Sequence, residues 1–282
     1  MRFFWITVLS STLCAQRPQA AVVIGVDGMS VDGIDKANAP NLKALMKRGA
    51  YTLKGRGVMP TVSSPNWSSI LSGAGPEQHG VTSNEWQRDK HEIDPVCVGL
   101  EPIFPTIFGV LHAAKPALRL AAIYDWDGFG RLFERSAVNH SARVEHSTET
   151  VKAAIAYWNR EKPHFLFVHL DDVDHAGHSK GWEGEHYLAE LERVDGLIGQ
   201  LVAAVGDKTL VLVTADHGGT GTKHGNLRMN ELQIPIIMAG PGVKSGELPA
   251  GANNFDIAPT LSTMFKVAPH ACWVGKPLVK WR

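Results

Sequence analysis

Acids and imidazoles in this chain gather directly behind three apolar runs. Asp27 follows "AVVIGV". Asp171, Asp172, Asp174, His175 and His178 follow "HFLFVHL". Asp216 and His217 follow "LVLVT", and His224 comes next in a glycine-rich loop, "GGTGTKHGN". Carboxylates crowded into a dry cleft repel one another, so such a cluster needs cations. Mixed Asp and His donors suit zinc or a similar divalent transition metal, whereas an all-oxygen set would suit Mg or Ca. Asp174 and His178 are four apart, so one turn can present both on one side; Gly177 between them suggests a tight turn rather than a plain helix. Asp216 and His217 are adjacent and would point to opposite faces of a regular strand. They converge only if the strand stops there, which Gly218-Gly219 signals. An acid behind a strand is often a helix cap and a lone His is usually a core or surface residue. The joint placement of these groups is what points to a metal site.

A second constellation is made of hydroxyls. "MPTVSSPNWSS", Met59 to Ser69, holds four serines and a threonine. Pro65 suits the first helical position, and "NWSSILSG" reads as a short helix stopped by Gly73. Ser63 or Ser64 then lies at a helix N-terminus, where unpaired N–H groups and the positive dipole end favour a phosphate or an alkoxide. A serine before proline is also an ordinary N-cap. The residues alone do not choose between the two serines or exclude that plainer role.

The elements that must position these groups are legible as alternating strands and helices. Strands are expected at Ala21–Val26, Leu120–Tyr124, His164–Leu170, Leu210–Thr214 and Ile234–Gly240. Helices are expected at Asn41–Arg48, Thr148–Arg160, Trp182 to about Val205, and Asp256–Phe265. That alternation means βαβ units: an α/β fold with a mostly parallel central sheet and helices on both faces. Open parallel sheets bind ligands outside the carboxyl ends of their strands, which is where the acids fall. Residues 85–101 and the Pro105 region read as a loop over one sheet edge, and residues 129–146 are weakly patterned.

Length and composition set the frame. The 282 residues, 44% apolar and 20% charged with zero formal net charge, suit a soluble globular chain with a substantial core. No basic run indicates nucleic-acid polymer recognition. Residues 1–20, "MRFFWITVLSSTLCAQRPQA", hold an apolar run too short to span a bilayer, so they read as a signal peptide cleaved after Ala15 or Ala20. The mature chain would then be a single domain, residues 21–282, exported to the periplasm or secreted, without a transmembrane segment. Export leaves Cys97 and Cys272, either paired or as two separate buried thiols.

Taken together, the motifs resemble the alkaline phosphatase superfamily, most of all its nucleotide pyrophosphatase/phosphodiesterase branch. That branch carries Asp-Gly after its first strand, here Asp27-Gly28. It carries Pro-Thr-x-Thr-Phe-Pro-Asn, here "PTVSSPN" from Pro60 to Asn66. Then come "GAGPEQHG" (Gly73–Gly80), "DHAGH" (Asp174–His178), "DHG" (Asp216–Gly218), the late "HG" (His224-Gly225), and an ending like "FDIAPTLSTMF" with "GKPL". The resemblance covers Ala21 to Leu278. It implies an alkaline phosphatase-like three-layer sandwich with two divalent metal ions, zinc being expected. One would be held by Asp174, His178 and His224, the other by Asp27, Asp216 and His217 with Ser63 bound to it. It makes Ser63 the nucleophile and Asn84 a phosphate contact, with backbone N–H groups near Ser63-Ser64 beside it. His79 is expected to be structural and His175 a turn residue.

The implied activity is that of a phosphodiesterase or nucleotide pyrophosphatase on a small phosphate ester, through a covalent phosphoserine. The alternatives are a phosphomonoesterase on the same metals, a phospho-group transferase, or a silent binding protein. The chain departs from the branch in having Ser for Thr at position 63 and Ser64 for the Phe of a nucleotide-base slot. Trp67 stands where a sulfatase needs Arg, which sets that branch aside. A monoester wants a cation at its outer oxygens and a diester an apolar slot. Trp67, Trp86 and Trp126 are candidate slot or core residues, and no clamp is identifiable, Arg88 and Lys90 being merely near the right loop.

Overall fold

The computed structural model describes residues 17–281. The apolar leader expected at Phe3 to Ala15 lies outside the described residues. Eight strands form one sheet: β1 (Ala20–Val26), β2 (Ala50–Arg56), β3 (Leu120–Tyr124), β4 (His140–Arg143), β5 (Phe165–Leu170), β6 (Thr209–Thr214), β7 (Gln233–Ala239) and β8 (Gly246–Glu247). Their spatial order is β4-β3-β5-β1-β6-β7-β2-β8. Strands β4, β3, β5, β1 and β6 run parallel, and β7 is antiparallel to both β6 and β2.

Every residue of β3, β5 and β6 is buried, and all of β1 but Ala20. Strands covered on both faces read as continuous apolar runs, which is why these four are visible in the sequence. Strands β2, β4 and β8 were not expected. Their residues are largely half-buried or exposed, and β4 and β8 form the sheet's edges, so they carry no apolar run. Helices Pro40–Arg48, Ser147–Glu161, Asp172–Lys180 and Glu185–Val205 pack together as one layer. Ser63–Ser72, Ile107–Ala114 and Ile257–Met264 pack together as another. The architecture is thus the α/β sandwich expected, with a mostly parallel sheet.

Two local readings change. "DHAGH" is not a tight turn: Asp174 to His178 lie within the helix Asp172–Lys180. Gly177 is there because a Cβ would sit 2.6 Å from the Trp182 ring, a packing demand rather than a bend. The long helix begins at Glu185 rather than Trp182, which instead turns back to donate its indole N–H to Gly28 O at 2.9 Å. Residues 85–101 hold no helix or strand, and Cys97 anchors them to Cys272 through a disulfide. No helix among the described residues is long and apolar enough to cross a membrane.

Candidate metal centre and active site

Strands β3, β5, β1 and β6 are neighbours and parallel, so their carboxyl ends lie side by side, about 4.8 Å from one strand to the next. Asp125 follows β3, Asp171 and the helix bearing Asp174 follow β5, Asp27 follows β1, and Asp216-His217 follow β6. Groups scattered over 190 positions of sequence are thereby delivered to about the width of four strands.

The first expected ligand set meets. His178 Nε2 lies 3.3 Å from Asp174 Oδ2 and 3.1 Å from His224 Nε2, and His224 Nε2 lies 3.8 Å from Asp174 Oδ1. The helical spacing of four puts Asp174 and His178 on one face. The second set meets as well: ligand atoms of Asp27, Asp216 and His217 lie within 4.8 Å of one another. His217 Nε2 is 3.2 Å from Asp216 Oδ2, 3.5 Å from Asp27 Oδ1 and 3.4 Å from Ser63 Oγ. The sets adjoin, the rings of His217 and His224 stacking with centroids 3.8 Å apart. Gly28 permits this closeness. Its φ of +66° is the left-handed region, and a Cβ there would press to 2.8 Å from Asp174 Oδ1.

The residues present fit a pair of cations. Each expected ligand histidine has its Nδ1 against a backbone carbonyl: His178 on Thr222 O at 2.9 Å, His224 on Thr61 O at 2.8 Å, His217 on Gly218 O at 2.9 Å. A carbonyl only accepts, so each Nδ1 carries a proton, and in the neutral ring Nε2 presents a bare lone pair. The two lone pairs of His178 and His224 then face each other across 3.1 Å, an arrangement a cation between them would relieve. The acids agree. Asp27 Oδ1, Asp174 Oδ1 and Asp216 Oδ2 are buried without any hydrogen-bond partner, while the opposite oxygens of Asp27 and Asp216 are bonded. Burial, then the Asp27 charge, pushes the Asp174 and Asp216 carboxyls well above the usual range. Burial lowers His217 to about 3.

Behind the ligands runs a layer that sequence reading missed. Asp27 Oδ2 accepts from Trp67 Nε1 at 3.0 Å and from His169 Nε2 at 3.2 Å; His169 Nδ1 reaches Asp125 Oδ1 at 3.2 Å. Burial opposes charge on His169, but bonds to Asp125 and Asp27 outweigh it and hold the imidazolium to about 10. Asp27 is correspondingly held well below the carboxylate range: burial raises it, yet the His169 bond and the neighbouring imidazoles prevail. A cluster of Asp27, His169 and Asp171 has metal-site residue types. Both His169 nitrogens already bind carboxylates, so the imidazolium itself supplies the positive charge there. The signal available in sequence was a lone His inside an otherwise apolar strand.

Ser63 opens the helix Ser63–Ser72, and Pro65 lies inside its first turn rather than at its first position. Ser64 N–H donates to Asn84 Oδ1 at 2.8 Å, so that amide is engaged by Asn84 rather than free for a phosphate oxygen. The bond commits the Oδ1 of Asn84. Asn66 staples the preceding loop, its Nδ2 donating to Val58, Pro60 and Val62 carbonyls. Thr61 holds the His224 loop, donating toward Asn226 O and accepting from Gly225 N–H, both at 3.1 Å. His79 is buried between Ser69 Oγ and Val81 N–H, each at 3.0 Å, and supports that helix. His175 lies on the helix Asp172–Lys180, exposed beside Asp171.

Of the three tryptophans read as slot or core candidates, Trp67 and Trp86 are core. Trp67 is fully buried among Phe129, Phe167 and His169, because its indole N–H is needed on Asp27. Trp86 is buried and stacks on His91. Trp126 is half-buried beneath the guanidinium of Arg131. Arg88 is spoken for by Glu101, and Lys90 pairs backbone groups with Gln87.

Comparison with known proteins adds the following. Residues 21–233 match the family model described as type I phosphodiesterase/nucleotide pyrophosphatase. Human ectonucleotide pyrophosphatase/phosphodiesterase family member 1 is 28% identical over 202 residues, a stretch that is 64% of this chain and 21% of the human protein. This chain thus corresponds to about a fifth of that relative's length. Among solved structures, murine ectonucleotide pyrophosphatase/phosphodiesterase 5, determined with AMP, superposes with a TM-score of 0.75 at 14% identity, covering 89% of this chain and 96% of the other. The alkaline phosphatase PafA gives 0.75 at 14% identity over 93% and 98%.

Proposed function

The chain belongs to the type I phosphodiesterase/nucleotide pyrophosphatase family, and on that premise we propose that it is a metal-dependent phosphohydrolase of this type, with Ser63 as nucleophile beside two zinc ions. The observation that carries the reading is the pair of bare imidazole nitrogens 3.1 Å apart, next to three buried carboxylate oxygens without partners. Asp174, His178 and His224 would hold one ion; Asp27, Asp216, His217 and Ser63 the other. Imidazole with carboxylate is a donor set that suits zinc. Bound there, the ions would supply positive charge against the attacking and departing oxygens of an in-line displacement.

The chain's own groups do the rest. Ser63 Oγ stands at a helix start, where the dipole favours an alkoxide. Its bond to phosphorus forms as the ester oxygen leaves, giving phospho-Ser63 and the free alcohol. Water then cleaves that ester and restores the hydroxyl. Asn84, its Oδ1 committed to Ser64 N–H, offers Nδ2 to a non-bridging oxygen. The His169 imidazolium keeps Asp27 ionised and oriented so that Oδ1 faces the site. The substrate is a small phosphate ester; the AMP bound to the murine neighbour makes a nucleotide one candidate.

Export is part of the proposal, with cleavage after Ala15. Arg17 donates to Thr263 O at 2.8 Å and Trp281 O at 3.0 Å, and Ala20 pairs with Thr209, so a cut after Ala20 would remove contacts of the fold. The Cys97–Cys272 disulfide suits an oxidising compartment.

The test is turnover of p-nitrophenyl phosphate and bis-p-nitrophenyl phosphate by zinc-loaded protein. Chelation and Ser63→Ala should each abolish it. Full activity in Ser63→Ala would refute the nucleophile assignment, and activity indifferent to chelation would refute the metal assignment.

A further inference from the structure

The loop behind His224 has no apolar anchor. Residues 225–229 are all exposed, Leu227 to 83%, so burial does not hold this stretch in place. Yet His224 keeps its Nε2 3.1 Å from that of His178. What ties the loop down lies beneath it: the side chain of Glu231, buried in the short helix Met229–Leu232. A buried carboxylate is costly unless its oxygens are met. Here Oε2 accepts from Asn226 N–H at 2.6 Å and from Thr61 Oγ at 3.1 Å, and Oε1 accepts from Asn226 Nδ2 at 3.0 Å. Burial alone would raise the Glu231 pKa, but the bonds from Asn226 and Thr61 prevail and hold it below its usual value. The group is therefore an ionised, acceptor-only clamp.

Its partners are the segments that build the site. Thr61, 170 positions away, stands two residues before Ser63. The Thr61 carbonyl accepts from His224 Nδ1 at 2.8 Å, and its hydroxyl accepts from Gly225 N–H at 3.1 Å. Asn226 comes two residues after His224. The Glu231 backbone reaches a third segment, its carbonyl accepting Gly218 N–H at 2.9 Å directly behind Asp216-His217. We propose that Glu231 is a positioning residue: its carboxylate clamps the Thr61 and His224 segments together and so aims the His224 lone pair at the cation His224 would share with Asp174 and His178. This rests on the metal-dependent reading above; Glu231 itself would touch neither ion nor substrate. The other set does not need the clamp. Asp27 is braced by Trp67 and His169, Asp216 by Gly28 N–H, and His217 by its own neighbour's carbonyl. A side-chain change at Glu231 should therefore weaken one ion and spare the other.

The experiment uses the full chain with Glu231→Gln, which keeps the shape but sets an amide donor against the Asn226 donors. Zinc is titrated calorimetrically into chelator-treated protein. In Glu231→Gln one equivalent should bind about 10–100-fold more weakly than in wild type while the other keeps its affinity, and turnover should return at saturating zinc. Thr61→Val removes the hydroxyl partner and should weaken the same equivalent; the double variant should lose less than the two single losses added. Should Glu231→Gln not fold, Thr61→Val carries the same test. A second readout needs no metal. Long-range 1H–15N spectra of metal-free protein at about pH 8 should show His224 with its proton on Nδ1 in wild type and as mixed tautomers in Glu231→Gln. Equal weakening of both equivalents, or a lower Tm with both affinities unchanged, would make Glu231 a prop of the fold and overturn the proposal. If wild type binds no zinc, the metal reading fails, and the tautomer then decides the clamp by itself: a mixed His224 upholds it, an unchanged one overturns it.

Discussion

The two walls of the cleft are built differently. The wall proposed to face the cations comes from the ends of adjacent central strands, each carrying an acid within a few residues of a buried run. There the histidine tautomers are set by backbone carbonyls and Asp27 is braced by Trp67 and His169. The wall proposed to face the substrate comes from short segments: the start of a helix at Ser63 and the irregular stretch around Asn84. The chemistry shared by a family needs ångström placement and sits on the sheet. The residues proposed to meet the substrate sit on shorter, less regular segments, which can change without disturbing it.

Breaking the first wall should cost most. Asp216→Asn alters a buried carboxylate, proposed as a metal ligand, whose other oxygen is held by Gly28 N–H. It should cut kcat/KM about a thousandfold and lose one bound zinc, checked by steady-state kinetics with metal analysis. Retained activity with one metal lost would show that the second set is not catalytic.

The disulfide belongs to the second wall, where it ties the irregular stretch to the chain's end. It closes a loop spanning 175 positions. Cys97→Ser with Cys272→Ser should lower unfolding free energy by about 2–4 kcal/mol in urea melts while leaving zinc affinity unaltered. A change in zinc affinity would mean that the walls are not independent.

A finer probe addresses the layer behind Asp27. His169→Gln should weaken zinc binding about 10–100-fold, with turnover returning at high zinc. Unchanged affinity would reduce His169 to packing.

The smallest effect concerns His79, which props the Ser63 helix. Burial lowers its pKa from 6.5 to about 3, so the fold keeps it neutral. Between those values the unfolded chain holds one more proton than the folded chain. Stability should therefore fall as pH drops below about 6.5, by about 1.4 kcal/mol per unit from this residue. Thermal melts between pH 7 and 5 should show a steeper loss in wild type than in His79→Asn. Equal slopes would mean that His79 takes up a proton in the fold.

The same contrast explains what could be read beforehand. Strands β1, β3, β5 and β6 and the acids and imidazoles behind three of them were legible because burial writes continuous apolar runs and the acids follow at once. Strands β2, β4 and β8 were not, since their residues are largely half-buried or exposed and carry no apolar run. Gly177 was misread as a turn because the ring that excludes its side chain, Trp182, is felt only in three dimensions. Trp67 stayed open between slot and core because an aromatic beside a nucleophile is ambiguous until its N–H is found on Asp27. The bond from Arg131 to Asn84 O carries no local signal, the two residues lying 47 positions apart.

The most direct test of the account is a calorimetric titration of zinc into chelator-treated protein. Two equivalents per wild-type chain and one in Asp216→Asn would support a paired cation site beside Ser63. No binding, or binding that Asp216→Asn leaves unchanged, would contradict it.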